Sequence, residues 1–145
     1  MSKRTQIVKA LTTKLNLING KPPYRVNLSK NAYAKLKFWD EVDDFPSVYL
    51  TPGTEIREYF PSDFTWGFLN VCIKVYCRGE SSSEQLELLL TDIENCVDDN
   101  RQLEYDSTNN YSTTEILVQS ITTDEGLLAP YAVGEINLQV RYQIV

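Results

Sequence analysis

Apolar residues recur at two spacings along this chain, and the changes of spacing mark its elements. Ile7, Val8, Leu11, Leu15 and Ile18 fall at helical intervals with Lys and Thr between them, which predicts an amphipathic helix over residues 3–18. Asn19-Gly20 and then Pro22-Pro23 give it a stop. Residues 21–45 are mixed, with a short helix expected over 31–38. Phe45-Pro46 opens a short strand, 47–51, ended by Pro52-Gly53. Residues 55–60 and 64–70 then flank Pro61-Ser62-Asp63, a turn composition, and predict a hairpin. The second strand does not stop there. Leu69, Val71, Ile73, Val75 and Cys77 alternate with Asn70, Cys72, Lys74, Tyr76 and Arg78, so Phe64–Arg78 reads as one half-buried strand. At ~3.3 Å per residue it would span about 50 Å. Such a strand is expected to bend, at Gly67, or to run beyond its sheet as an arm.

Gly79 breaks the strand. Ser81 with Glu84, or Ser82 with Gln85, offers a capping box for the next helix. Leu86, Leu89, Leu90, Ile93, Cys96 and Val97 form its apolar stripe, and Glu87, Asp92 and Glu94 are assigned to its outer face. Residues 98–113 are polar and loop-like. Residues 115–122 predict a strand with Ile116 and Val118 on one face and Leu117, Gln119 and Ile121 on the other. Asp124-Glu125-Gly126 turns the chain into a last strand, where Ile136, Leu138, Val140, Tyr142 and Ile144 alternate with Glu135, Asn137, Gln139, Arg141 and Gln143. Strands with two helices predict an α+β fold. The expected architecture is a single-domain two-layer sandwich over residues 1–145, a mostly antiparallel or mixed sheet with helices on one face and a projecting β-hairpin.

Composition narrows the function more than the fold. The chain has no histidine, which excludes Ser-His-Asp and Cys-His catalytic sets and every His-containing metal site. Cys72 and Cys77 point to opposite faces of one strand and cannot pair, and Cys96 lies on a helix stripe. All three read as buried thiols in a reducing compartment. No apolar run reaches the ~18 residues of a membrane span. No Gly-rich phosphate loop or calcium-loop pattern occurs. Asp40, Glu41, Asp43 and Asp44 are weighed as a divalent-ion site and read as a solvated loop, because no glycine wraps them round an ion. Asp124 and Glu125 are weighed as an acid/base pair and read as a turn. No cofactor, metal or catalytic residue is expected.

Charge is divided along the chain. Residues 1–40 carry nine basic side chains and one acid, Asp40, for +8, while residues 41–145 carry five basic and nineteen acidic ones, for −14. The lysines are too dispersed for a nucleic-acid patch. A basic face that meets the acidic face of an identical neighbour makes a head-to-tail contact, and such contacts generate rings or filaments. Trp39 and Phe68 are assigned to the core. Tyr59, Phe60, Phe64 and Trp66, with Arg57 beside them, lie near the hairpin tip, where one sheet does not bury them all, and they are the candidate protein interface.

The order of these features resembles a family. A helix ending at Asn19-Gly20 precedes Tyr24 and a Trp. Phe45-Pro46-Ser47-Val48-Tyr49 with Pro52-Gly53-Thr54-Glu55 follows, then the long strand and the acidic helix. Ile121-Thr122-Thr123-Asp124-Glu125-Gly126-Leu127-Leu128-Ala129-Pro130 comes next, and the last strand carries Val140-Arg141-Tyr142. The chain is similar to the tail terminator, or tail completion, proteins of long-tailed bacteriophages, the group of the minor tail protein U type. That resemblance implies a structural protein of the virion, assembled in the host cytoplasm and placed at the head-proximal end of the tail. It implies a ring, usually a hexamer, that caps the tail tube, stops addition of tube protein and offers the surface to which the head-completion or neck protein joins. It implies neither reaction nor cofactor. Another head–tail neck ring protein, a nucleic-acid-binding α+β module and a small enzyme remain the alternatives.

Overall fold

The computed structural model describes residues 1–144. Helix α1 (Lys3–Leu15) is capped by Ser2, whose hydroxyl accepts from the Thr5 amide at 3.2 Å. Strand β1 (Ala32–Tyr33) and a 3₁₀ turn (Trp39–Glu41) follow, where a helix over 31–38 was expected. The pairing of Ala32 and Tyr33 with Val48 and Tyr49 claims the backbone that a helix would use. Next come β2 (Ser47–Phe60), β3 (Phe64–Arg78), α2 (Ser82–Asp98), β4 (Glu104–Asp106), β5 (Tyr111–Ser112), β6 (Glu115–Thr123) and β7 (Tyr131–Gln143). The main sheet has the order β1-β2-β3-β7-β6 and is antiparallel except between β1 and β2. The fold is α+β, with both helices on one face of a mixed sheet.

The core is the layer between helices and sheet. Ile7, Val8, Leu11 and Leu15 of α1 and Leu86, Leu89, Leu90, Ile93, Cys96 and Val97 of α2 close on Leu69, Val71, Ile73, Val75 and Cys77 of β3 and Ile136, Leu138 and Val140 of β7. The two alternations fit one register, since Leu69 faces Val140, Val71 faces Leu138 and Ile73 faces Ile136. A slip by one residue would turn both rows to water. Helix α1 lies over β1 and β2, and α2 lies over β3, β7 and β6.

Several expectations are corrected by tertiary packing. Pro52-Gly53 does not end a strand; β2 continues through it as a bulge between Pro52 and Glu55. Strand β3 stays paired on both sides at Gly67, whose missing Cβ makes room for Tyr142 and Ile144. A Cβ there would stand 2.9 Å from Tyr142 Cε1 and 2.9 Å from Ile144 Cδ1. Helix α1 stops at Leu15, and Ile18 is buried in the turn beyond it. Neither capping box forms: Ser81 is the N-cap of α2 without a side-chain bond, and Ser82 is buried. The 98–113 loop contains β4 and β5, which pair with each other. Cys72 is half-buried, not buried; its thiol donates to Glu135 Oε1 at 3.1 Å. Burial, and then Glu135, push that thiol up to about 11, and burial alone pushes Cys77 to about 12, so both stay protonated at neutral pH. Trp39 is half-buried against a second, smaller cluster of Tyr49, Tyr76 and Val42, where the 33–46 segment covers the helix-free face of the sheet.

Asp92 is the largest correction. It belongs to the buried layer, and its carboxylate accepts from the Arg25 amide at 3.0 Å and the Val26 amide at 2.9 Å. This clamps the 21–30 segment onto α2. Replacing Asp92 with Ala would strand buried donors, and we expect a loss of about 3 kcal/mol in chemical denaturation. Asp92→Asn, which keeps one acceptor oxygen, should lose less; equal losses for the two variants would contradict the clamp.

Candidate functional site: the bare end of the sheet

Alternation in β2 and β3 decides which face each hairpin side chain takes. Phe60 pairs with Phe64, Glu58 with Trp66 and Ile56 with Phe68, so these residues stand on the helix-free face. Tyr59 pairs with Thr65 and Arg57 with Gly67, so Tyr59 and Arg57 stand on the opposite, helix side. The five residues proposed from sequence therefore divide. Phe60, Phe64 and Trp66 come together; Arg57 and Tyr59 do not join them. The turn that reverses the chain carries Ser62 and Asp63 at φ of 70° and 61°.

The aromatic group is a chain of edge-to-face contacts. Phe60 and Phe64 rings lie 6.2 Å apart at 64°, and Phe64 and Trp66 lie 5.0 Å apart at 82°. The Arg141 guanidinium sits 4.9 Å from the Trp66 ring centre and forms the border of the strip. Ile56 and Phe68 extend it. Ile56 is 64% exposed, Phe60 44% and Tyr59 72%, while Phe64, Trp66 and Phe68 are half-buried. Phe68 thus belongs to this strip and not to the core. Ile56, Phe68 and Arg141 were missed as site residues. The signal was present: the alternation that puts Leu69 inside puts Phe68, Trp66 and Phe64 outside.

Arg57 is held at the base of the arm. Its Nε donates to Glu55 Oε2 at 2.8 Å, and the Glu55 side chain is only 4% exposed. The other Glu55 oxygen accepts from the Tyr142 hydroxyl. Burial, and then this carboxylate, hold the Tyr142 phenol well above its ordinary range. Arg4 donates to the Gly53 carbonyl at 2.5 Å, at the bulge. The strip is therefore presented from a fixed base.

The charge division has a spatial meaning. Basic α1, with Lys3, Arg4, Lys9 and Lys14, lies at the β1–β2 side of the helix layer. Acidic α2, with exposed Glu84, Glu87 and Asp98, lies at the β6 side. At the other end of the sheet, the 124–130 turn presents Leu127, 85% exposed. Asp124 spans this turn, accepting from the Leu128 amide at 3.0 Å and the Val133 amide at 3.1 Å. Glu125 and Gly126 take φ of 57° and 83°. These are the bonds of a turn. Asp40, Glu41, Asp43 and Asp44 are all exposed, and among the described residues no three Asp, Glu or Cys side chains gather as a metal site.

Asp124→Ala should lower stability by about 2 kcal/mol, since the Leu128 amide of the turn and the Val133 amide of β7 lose their acceptor. Asp124→Asn with Glu125→Gln should keep the turn and the function; a folded double variant without function would assign these side chains a further role.

A family model described as Bacteriophage Tail Tube Terminator Protein matches residues 1–145. The tail tube terminator protein p142 of Escherichia phage T5 is 39% identical over 153 residues, with 99% of this chain and 95% of that protein covered. Among solved structures, a chain of the virion of a native gene transfer agent particle aligns with a TM-score of 0.61 over 94% of each chain, at 9% identity, a likeness of fold. A protein without histidine, with a bare aromatic strip and divided charge, accords with a part made to be assembled, and the whole-chain matches decide the matter: this chain belongs to the bacteriophage tail tube terminator proteins, structural components of the virion tail and not enzymes.

Proposed function

We propose that the chain forms a closed, six-membered ring on the head-proximal end of the tail tube, ends tube elongation and offers the surface to which the head-completion or neck protein joins. The aromatic strip carries this reading. Three aromatic rings with Ile56 and Phe68 at the end of a clamped hairpin supply apolar surface that the subunit itself covers only in part, with Ile56 and Phe60 the most open. Such a surface becomes favourable when a neighbouring subunit or the tube removes it from water. The strip and Leu127 stand at opposite ends of β3, as an adaptor between two partners requires. Basic and acidic helices on opposite sides favour a head-to-tail neighbour, the kind of contact that closes into rings.

Phe60→Ser with Phe64→Ser should leave the subunit folded, by circular dichroism melting, and should abolish capping of tail tubes in electron micrographs. Unfolding would return these rings to the subunit's own core, and normal capping would remove the role assigned to the strip. Association measured by light scattering should weaken as salt approaches 1 M, where screening shortens to about 3 Å; assembly indifferent to salt would remove the charge contribution while leaving the ring.

A further inference from the structure

The main sheet has two open edges, and they differ. Strand β1 covers β2 only at Val48 and Tyr49, and Arg4 covers the Gly53 carbonyl, so residues 55–60 have no described strand on their outer side. Strand β6 is the other outermost strand, and no described strand lies beyond it. Open edges of this length pair readily with further strands. The directions also agree. Strands β2 and β7 run one way and β3 and β6 the other. Rotation about a ring axis preserves these directions, so β6 of one subunit meets β2 of the next antiparallel, in every cyclic arrangement that sets sheets side by side.

The edges are offset along the strands. Residues 55–60 lie level with the beginning of β3, whereas β6 runs from the level of Phe68 to that of Val75. Pairing them shifts each subunit along the strand direction by about five residues. Side-chain alternation permits only an even shift, four or six. Across four strands spaced ~4.8 Å, that shift tilts the strands by roughly 35–45°, the tilt at which sheets close into barrels.

Side chains choose between the two registers. A shift of four places Phe60 of the next subunit beside Glu115. A shift of six places it beside Leu117 on the same face, with Tyr59 beside Val118 on the other. Leu117 is 43% exposed, and Phe60 equally so; each would cover the other. The same step brings acidic α2 of one subunit next to basic α1 of the following one. We propose that the ring closes by sheet continuation, with β6 of each subunit paired to residues 55–60 of the next in the six-residue register. This rests on the ring reading above and adds the surface that closes it.

Cysteine pairs test it. In a Cys72→Ser background, Glu58→Cys and Ser120→Cys become cross-strand neighbours between subunits. Within one chain, three strand spacings, about 14 Å, separate them, beyond disulfide reach. Mild oxidation of full-length protein assembled on tail tubes should convert the double variant into a covalent ladder ending at the ring, while each single variant stays monomeric on denaturing gels. Glu58→Cys with Leu117→Cys, the pair for the four-residue register, should not crosslink. Rings visible by electron microscopy without the first crosslink would overturn the seam and leave the ring standing. Crosslinking of the second pair alone would overturn the register. Absence of any ring on tubes would overturn both the seam and the reading it rests on.

Discussion

Leu69, Val71, Ile73, Val75 and Cys77 must all face the helices, and this requirement orders the rest of the molecule. Because β3 is paired on both sides at Leu69, Val71, Ile73 and Val75, its phase sets that of β2 and β7. The helices find one continuous apolar floor, and each partner residue on β7 is determined in turn. The same phase, followed back past Gly67, sends Phe64, Trp66 and Phe68 to the other side, where no helix lies. The partly uncovered strip is thus a consequence of how the core is built. Moving those rings inside would expose the core row.

Three carboxylates hold what the apolar layer does not. Asp92 ties the 21–30 segment to α2, Asp124 ties the last turn, and Glu55 joins Arg57 and Tyr142 under the hairpin. Each satisfies backbone amides or a phenol in buried or half-buried surroundings, and each lies where two elements meet. Buried polar groups of this kind add little when satisfied and cost much when a partner is lost.

The elements legible in the sequence are those whose pattern is decided locally. The alternation of β3 and β7, the stripe of α2 and the turn at 61–63 all appear there. The misread parts depended on distant partners. Residues 31–38 hold apolar groups without a firm period, and only the edge of β2 makes two of them a strand. Asp92 read as solvated because charge usually means water, yet it lies three residues after Leu89 and four before Cys96, on the flank of the buried stripe. At the candidate site the rings were found by composition, but their sorting into faces needed the alternation to be carried backwards. Arg57 looked like part of the surface and proved to be anchored to a nearly buried Glu55.

Strand β3 runs from the hairpin turn to the level of Tyr131, joining the aromatic strip at one end to the Leu127 turn at the other. Its fifteen residues measure roughly 50 Å at ~3.3 Å each. The path between the two ends is hydrogen-bonded sheet rather than hinge. The protein thereby behaves as a stiff spacer. Along its length the strand is tied to β2, β7 or both, so the distance between its two ends is set by the sheet.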